Sequence, residues 1–184
     1  MRKAAFLDRD GVINHRAPSG EYITNWEQMR ILPGAAQGIG LLNRAGYLTI
    51  VVTNQRCVAK GLLGASQLED LHKKMRDELA RCGGIIDAVY CCPHELTPPC
   101  DCRKPQPGML LRAAREHNID LAASWMVGDS PRDIGAGKNA GCRTVRILDG
   151  NESRDADADL VASSLIEAAQ RIIDFDARVV SMTR

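Results

Sequence analysis

The sequence lacks the features that would place a protein in a membrane, outside the cell or on nucleic acid. No apolar run approaches the roughly 20 residues that span a bilayer, and the stretch before Asp8 is too short for a signal-peptide core. Acidic and basic residues nearly balance, at a formal net charge of +1, without a long run of either sign. We therefore expect a cytoplasmic protein that binds neither nucleic acid nor membrane, and whose charged ligands are met by local side chains.

Internal repeats, low-complexity tracts and interdomain linkers are also missing. The 184 residues are the size of one domain, and 45% hydrophobic and 26% charged residues are typical of a globular chain. We predict a single domain over residues 1–184 and expect a monomer.

Short apolar segments alternate with helical patterns along the chain. The predicted strands are residues 4–7, 47–52, 85–90, 125–127, 142–148 and 160–161. The predicted helices are residues 33–45, 66–81, 108–117, 132–139 and 164–174, with capping boxes at Ser66/Glu69 and Ser164/Glu167. This alternation predicts an α/β fold, a Rossmann-like domain with a mostly parallel sheet flanked by helices. We expect residues 151–159 to form an acidic surface loop and the last ten residues to fray.

Two carboxylates follow the first predicted strand, Asp8 and Asp10, with Gly11 directly after them. Ligands of open α/β sheets collect at the carboxyl ends of strands, so these acids are placed to meet a substrate. The alternative is that they cap the strand and face water. The strand ends and loops further along the chain decide between these interpretations.

Those later positions carry a hydroxyl, an amide, a lysine and two more acids: Thr53, Asn54, Lys104, Asp129 and Asp133. Phosphoryl transfer through an aspartyl-phosphate requires a carboxylate nucleophile, cationic and hydrogen-bonding groups for the phosphoryl oxygens, and acidic ligands for Mg²⁺. The set therefore predicts a phosphotransfer site.

At these residues the chain resembles the haloacid dehalogenase (HAD) superfamily of phosphohydrolases. The matching motifs are Asp8-Arg9-Asp10-Gly11-Val12, Thr53, Lys104 in Arg103-Lys104-Pro105, and Gly128-Asp129 through Asp133. The resemblance implies that Asp8 attacks phosphorus while Asp10 acts as general acid and then base. It further implies that Thr53 and Lys104 hold the phosphate, and that Mg²⁺ binds the Asp8 carboxylate, the Asp10 backbone carbonyl and Asp129.

Two of these residues have plain structural alternatives. Asp133 either binds Mg²⁺ or is a first-turn helix acid favoured by the helix dipole. Lys104 is alternatively a solvated loop lysine.

A second constellation lies in the loop of residues 91–107, where Cys92, His94, Cys100 and Cys102 offer three thiolates and an imidazole. Four protein ligands complete a tetrahedral Zn²⁺ site and leave no open position, which predicts a structural zinc. The alternative is a reduced, metal-free loop. A Cys-x-His and Cys-x-Cys loop before Arg-Lys-Pro resembles that of the heptose bisphosphate phosphatases and the related histidinol phosphate phosphatases.

Resemblance to the first of these families implies removal of the 7-phosphate of D-glycero-D-manno-heptose 1,7-bisphosphate, a step in lipopolysaccharide precursor synthesis. Histidinol phosphate is the alternative small-molecule substrate. Arg56 and Cys57 depart from the small residue and glycine that this family places there, and Arg56 is expected to add a cation near the phosphate. Two other classes remain: a non-catalytic zinc-stabilised binding module, which the intact acid pair disfavours, and nucleic-acid end processing, which the near-neutral charge disfavours.

Candidate substrate contacts come from the segments around the site. Arg103 is expected to bind a second phosphate because its planar fork pairs with phosphate oxygens, and Asn14 and Asn54 are expected to bind substrate. Residues 14–33 and 55–91 are too short to hold a cap domain, so we expect a capless site rimmed by residues 15–28 and the zinc loop. Within that rim, His15 and Tyr22 are expected to help select the substrate.

The remaining cysteines and histidines carry simpler expectations. We expect buried, inert thiols at Cys57, Cys82, Cys91 and Cys142. We expect surface positions for His15, His72 and His117.

Overall fold

The computed structural model describes residues 1–148 and 157–182. Its strands are β1 (Ala4–Leu7), β2 (Leu48–Asn54), β3 (Ala88–Cys92), β4 (Trp125–Gly128), β5 (Arg143–Ile147) and β6 (Leu160–Ala162). Its helices are α1 (Ala35–Arg44), α2 (Ala65–Arg81), α3 (Gly108–His117), α4 (Pro131–Ala140) and α5 (Leu165–Met182).

The strands form one six-stranded sheet in the order β3-β2-β1-β4-β5-β6, and every neighbouring pair is parallel. β1 lies in the middle, where Phe6 aligns with Ile50 of β2 and with Met126 of β4. The predicted α/β, Rossmann-like fold is confirmed. Because the strand order reverses beside β1, the crevice at its carboxyl end is where ligands of such sheets bind.

Alternate residues of β1 face two separate apolar layers, as the period of a strand requires. Ala5 and Leu7 pack with α1 and α5 on one side of the sheet, and Ala4 and Phe6 pack with α3 and α4 on the other. All four side chains are completely buried. Helices therefore cover both faces and leave the strand ends as the open edge.

The third strand begins three residues later than the sequence pattern indicates. Residues 85–87 are bound through side chains instead of the strand ladder: the Ile85 N–H donates to Asn43 Oδ1 at 2.9 Å, and Asp87 Oδ2 accepts the Thr49 N–H at 2.8 Å. β3 then continues through Cys91 and Cys92, so the strand delivers the first zinc-loop cysteine directly.

The last helix is longer than predicted. It continues to Met182, so the expectation of fraying is wrong through that residue, while residues 183–184 lie outside the described ranges. Its second half is held from two sides, since Asp176 accepts from Lys3 at 2.9 Å and from the Tyr47 hydroxyl at 2.6 Å. Phe175 also packs edge-on against Trp125. Within the predicted acidic loop, residues 151–156 lie outside the described ranges.

Two helix starts differ from the predicted capping boxes. α2 begins one residue earlier, and the Gly64 N–H donates to Gln67 Oε1 at 2.8 Å in place of the Ser66 and Glu69 pair. At α5 the Ser164 hydroxyl accepts the Glu167 N–H as predicted, but the Glu167 carboxylate reaches Ser163 rather than Ser164.

Exposure corrects three expectations and confirms others. Cys57 and Cys142 are buried as predicted, but Cys82 and Cys91 are exposed, because Cys82 caps the end of α2 and Cys91 lies on the edge strand β3. His72, expected on the surface, is 6% exposed and lies on the packed side of α2. His15 is exposed as expected.

The two segments that could have carried a cap are small. Residues 14–33 contain no helix or strand of the sheet, and residues 55–87 contain only α2. None of the helices in the described ranges combines the length and hydropathy needed to span a bilayer.

Candidate active site

Asp8 and Lys104 meet at the carboxyl end of β1. Lys104 Nζ lies 2.7 Å from Asp8 Oδ1, 2.6 Å from Asp133 Oδ1 and 2.7 Å from the Val52 carbonyl oxygen. The ammonium therefore has three acceptors, which is its full donor capacity. Lys104 is 3% exposed, so its surroundings are not those of a solvated loop lysine.

Asn54, at the end of β2, positions the backbone of Lys104. Its amide donates to the Lys104 carbonyl oxygen at 3.2 Å, and its side-chain oxygen accepts the Lys104 N–H at 3.1 Å. This reciprocal pair fixes the loop to the sheet. Asn54 also lines the cavity above the strand ends.

Burial and mutual charge perturb the ionisation of this group. Burial, reinforced by the neighbouring Asp133 carboxylate, raises the pKa of Asp8 to about 7 even though Lys104 opposes the shift. Burial alone would lower the pKa of Lys104, but the Asp8 and Asp133 carboxylates raise it above its ordinary value. Perturbed groups of this kind in a cleft mark functional sites.

Asp10 is held by donors from three side chains on its two oxygens. Arg9 Nη2 donates to both oxygens at 2.9 and 3.0 Å and Arg9 Nε donates to Oδ1 at 3.2 Å, while Asn14 Nδ2 donates at 2.9 Å and Gln55 Nε2 at 3.1 Å. Gln55 also donates to the Thr53 hydroxyl at 2.8 Å, which couples the two strand ends. Asp10 is thereby fixed beside Asp8 at the cavity wall.

Asp129 and Asp133 complete a group of three acids with Asp8 that we call the carboxylate site; one oxygen from each lies within 4.8 Å of the others. The spacing suits a bound cation. Asp133 has little capacity left, because its Oδ1 accepts from Lys104 and its Oδ2 accepts the Ser130 N–H at 2.9 Å and hydroxyl at 2.6 Å. Asp133 is thus the helix-cap acid of α4 and a partner of Lys104.

Two glycines allow the backbone to approach Asp129 and Asp133 closely. Gly11 has φ +92°, and a Cβ there would lie 1.5 Å from Asp129 Oδ2. A Cβ on Gly128 would lie 2.1 Å from the Asp133 Cβ. A larger residue at either position would displace a carboxylate.

A cavity of about 560 Å³ opens over these side chains. Its floor consists of the residues at the strand ends, and residues 16–23 form one wall, as expected for the rim. Tyr22 is part of that wall, whereas His15 lines a neighbouring cavity of about 380 Å³. Arg16 and Asp129 border both cavities.

The four predicted zinc ligands converge, and we call this group the cysteine site. Cys92 Sγ lies 3.6 Å from Cys100 Sγ, Cys100 lies 3.5 Å from Cys102, and His94 Nδ1 lies 3.2 Å from Cys102. These spacings approach the roughly 3.7 Å between sulfurs in a tetrahedral site with 2.3 Å bonds. Although burial opposes it, hydrogen bonds from Cys102 and the backbone lower the pKa of Cys100 to about 7, which favours the thiolate.

Three predicted contacts are placed elsewhere. Asn14 is completely buried, its amide donates to Asp10 and to the His15 backbone oxygen, and it does not line the cavity. Arg103 does not line the cavity; Nη1 donates to the His94 carbonyl oxygen at 3.2 Å, within the zinc loop. Arg56, expected as a cation near the phosphate, is paired with Glu95.

Sequence reasoning missed two arginines that contact the acids. Arg9, part of the first motif, is 1% exposed and binds both Asp10 and the Nε2 of His72, at 3.1 Å. Arg16 binds Asp129, with Nε 2.5 Å from Oδ2. The buried position of Arg9 could have been inferred from its place between two acids, but Arg16 stands in an irregular segment with no sequence signal.

Comparison with known proteins gives one consistent result. A family model described as HAD-hydrolase-like matches residues 101–168. The D-glycero-beta-D-manno-heptose-1,7-bisphosphate 7-phosphatase of Bordetella bronchiseptica is 40% identical over 149 residues, 81% of this chain and 82% of that protein. The D-glycero-alpha-D-manno-heptose-1,7-bisphosphate 7-phosphatase of Mycobacterium bovis is 39% identical over 170 residues, 89% of this chain and 88% of that protein.

The fold agrees with these sequence matches. A crystal structure of D,D-heptose 1,7-bisphosphate phosphatase from B. bronchiseptica, complexed with magnesium and phosphate, has a TM-score of 0.85 at 34% identity and covers 94% of this chain and 99% of that chain. The parallel sheet with acids at its strand ends is that of the HAD-like hydrolases. Within that class, the chain belongs to the family of the D-glycero-D-manno-heptose-1,7-bisphosphate 7-phosphatases.

Proposed function

We propose that this protein is a Mg²⁺-dependent phosphatase that removes the 7-phosphate of D-glycero-D-manno-heptose 1,7-bisphosphate through an aspartyl-phosphate. One observation carries the mechanism: the buried Lys104 ammonium bridges Asp8 and Asp133 at the floor of the cavity. A nucleophilic carboxylate and a fixed cation therefore face the same space, as phosphoryl transfer requires. The family relationship supports the choice of substrate.

In the first step, an Asp8 carboxylate oxygen forms a bond to phosphorus as the bond to the sugar oxygen breaks. Asp10 gives its proton to that leaving oxygen, so the sugar departs as an alcohol. Lys104, whose three hydrogen bonds are already made, contributes its positive charge beside the phosphoryl oxygens, where charge accumulates, and the Thr53 hydroxyl can donate to them. Gln55 contacts both Asp10 and Thr53, which keeps the acid and the phosphate-binding hydroxyl in a fixed relation.

In the second step, Asp10 accepts a proton from water, and the resulting hydroxide oxygen bonds to phosphorus. The bond between phosphorus and the Asp8 oxygen breaks, which regenerates the carboxylate and releases inorganic phosphate. The donors from Arg9 and Asn14 hold Asp10 in one orientation for both steps.

The carboxylate site fits Mg²⁺, a hard cation that binds one or two carboxylates and keeps several waters. Asp8, Asp129 and the Asp10 backbone carbonyl would hold it. Bound there, the metal neutralises charge on the phosphoryl oxygens and orients them. Asp133 would act through Lys104 and Ser130, which already occupy both of its oxygens.

The cysteine site fits Zn²⁺ by the chemistry and spacing of its donors. All four positions are supplied by protein, so the ion would be structural. The last ligand, Cys102, lies two residues before Lys104. The Gly108 N–H, at the start of α3, donates to the Asp101 carbonyl oxygen at 3.0 Å and so attaches the same loop to α3. Zinc would fix the loop that presents the lysine.

We further propose that residues 1–184 act as one capless domain, as a monomer in the cytoplasm. The single sheet of the described residues and the open cavity above β1 support the absence of a cap.

Substrate identity is tested by turnover. Both anomers of heptose 1,7-bisphosphate and histidinol phosphate are compared with Mg²⁺ present, and Asp8→Asn is purified in parallel to measure contaminating phosphatase. We expect the bisphosphate to have the higher kcat/KM. The preferred anomer is left to this measurement, since relatives named for each form are about equally similar. Equal or greater kcat/KM for histidinol phosphate would overturn the assignment.

A further inference from the structure

Arg16 makes an ion pair with one of the acids assigned to the metal. Its Nε lies 2.5 Å from Asp129 Oδ2, and its Nη2 donates to the Asp129 backbone oxygen at 3.1 Å. Burial raises the pKa of Asp129, and the Arg16 guanidinium opposes that shift. Arg16 is therefore the counter-ion of Asp129 in the metal-free protein.

The position of this contact matters because Mg²⁺ needs the same carboxylate. Oδ2 of Asp129 lies against Gly11, where a Cβ would approach to 1.5 Å, so this oxygen is enclosed by the Gly11 backbone and the guanidinium. A magnesium ion bonds carboxylate oxygen at about 2.1 Å and carries a shell of waters. The hydrated ion and the Arg16 guanidinium would crowd each other at Asp129.

The two cations of the site differ in how easily they can move. Lys104 has a side-chain exposure of 2% and three acceptors, one of them the backbone of β2. Arg16 has a side-chain exposure of 52%, stands in an irregular segment, and among the described residues makes its two polar contacts with Asp129. Arg16 is the cation that can leave without breaking the core.

We propose that Arg16 is an exchangeable counter-ion: it occupies Asp129 when the metal is absent, and Mg²⁺ displaces it from that carboxylate. In the metal-free protein, Arg16 gives the three neighbouring acids a second counter-charge in addition to Lys104. The exchange also makes Arg16 a competitor of the metal. The inference rests on the proposed function, because Mg²⁺ at the carboxylate site is part of that function.

Side-chain NMR tests the displacement directly and without turnover. The Nε–Hε signal of Arg16 is identified by its loss in Arg16→Lys and followed while MgCl₂ is added to the zinc-loaded protein. We expect it to move to the position of a solvent-exposed arginine as Mg²⁺ saturates the site. The internal reference is Arg112, because its Nε donates to Glu116 on the same helix, α3, and to no residue of the carboxylate site. An Arg16 signal that stays unchanged while Mg²⁺ binds would overturn the inference alone.

Calorimetric titration with Mg²⁺ tests the competition. Removing the competitor in Arg16→Gln should tighten Mg²⁺ binding by about threefold to tenfold, the range set by a partly exposed, charge-assisted pair. Arg112→Gln is the matched control, since it makes the same change of charge at an exposed arginine paired with Glu116 on α3. Unchanged or weaker binding in Arg16→Gln contradicts the competition. A protein that binds no Mg²⁺ at all would overturn both this inference and the proposed function.

Discussion

The carboxylate site and the cysteine site are assembled by different means. The acids stand at strand ends and at the first turn of α4, where the sheet fixes their backbones and hydrogen bonds fix their side chains. The cysteine site joins the end of β3 to a loop, and its members contact mainly one another. The first site is preorganised by the protein, whereas in our proposal the second depends on zinc to hold the loop together.

Replacing the proposed nucleophile should have the largest effect on activity. Asp8→Asn exchanges the carboxylate for a neutral, weakly nucleophilic amide, so we expect turnover to fall by about a thousandfold or more with the fold intact. Circular dichroism and phosphate release measure the two properties together. Appreciable Mg²⁺-dependent turnover by a purified, folded Asp8→Asn protein would refute the role of Asp8.

The same variant should reveal how much the ionised Asp8 carboxylate lowers the free energy of unfolding. Because burial raises the pKa of Asp8 from 3.8 to about 7, the folded protein holds this proton more tightly than the unfolded chain. The free energy of unfolding therefore falls as pH rises from about 4 to about 7. In Mg²⁺-free buffer, Asp8→Asn should be more stable than wild type at about pH 8, by up to about 4 kcal/mol, and nearly equally stable near pH 4. A constant difference across this range would contradict the shift.

Removing the buried lysine should reduce both activity and stability. Lys104→Met leaves Asp8 and Asp133 buried beside each other without their cation, which we expect to cost about 3 to 5 kcal/mol of folding free energy. Turnover should fall by about a hundredfold or more, because charge on the phosphoryl oxygens is no longer met. Chemical denaturation and steady-state kinetics provide the measurements, with Lys138→Met, an exposed lysine on α4, as the control. Equal stability of the Lys104 and Lys138 variants would show that the buried bridge carries little energy.

Disrupting the cysteine site should act on the loop and only indirectly on turnover. Cys102→Ser removes one of four ligands, so we expect loss of bound zinc, a lower melting temperature and a decrease in kcat/KM of about tenfold. Cys91→Ser is the matched control, because Cys91 is a neighbouring but exposed thiol that makes no contact with the other three cysteines among the described hydrogen bonds. Zinc content is measured by elemental analysis. Retained stability after complete loss of zinc would refute the structural role.

The sequence was sufficient to predict the fold and the convergence of the catalytic acids. Alternating apolar strands and helices determine a parallel sheet, and a parallel sheet brings the residues after Leu7, Val52 and Val127 to one edge. Motif spacing also located Lys104 and the four members of the cysteine site. Periodicity and local motifs carry this information, because both depend on short stretches of chain.

Sequence periodicity and motifs do not predict which side chains contact each other in the folded protein. Asn14 and Arg103 are expected on the substrate but donate to Asp10, four positions away, and to the His94 backbone oxygen, nine positions away. These contacts depend on how the chain turns after each motif, which residue spacing alone does not specify. Arg16 meets Asp129 across 113 positions of sequence. The exposure of Cys91 depends on β3 being an edge strand, a property of the assembled sheet that a single strand does not encode.

The hydrogen bonds that hold the active-site acids extend as far as His72 on α2. Because His72 acts only through Arg9, its replacement should have the smallest effect on activity of these variants. Its Nε2 lies 3.1 Å from Arg9 Nη1, the donor, so the neutral ring accepts this hydrogen bond and supports the guanidinium that holds Asp10. Burial and the Arg9 charge lower the pKa of His72 to about 3, so the unfolded chain takes up a proton first. Stability contributed by the neutral ring is therefore present above about pH 6.5 and is lost as pH falls toward 3.

His72→Leu leaves the Arg9 donor unpaired and should lower the free energy of unfolding by about 1 to 3 kcal/mol at pH 8, whereas His72→Gln offers an acceptor and should lower it less. Both variants should flatten the acid limb of the stability profile measured by denaturation between about pH 4 and 7. An acid limb as steep as that of wild type would mean that His72 is already protonated in the folded protein.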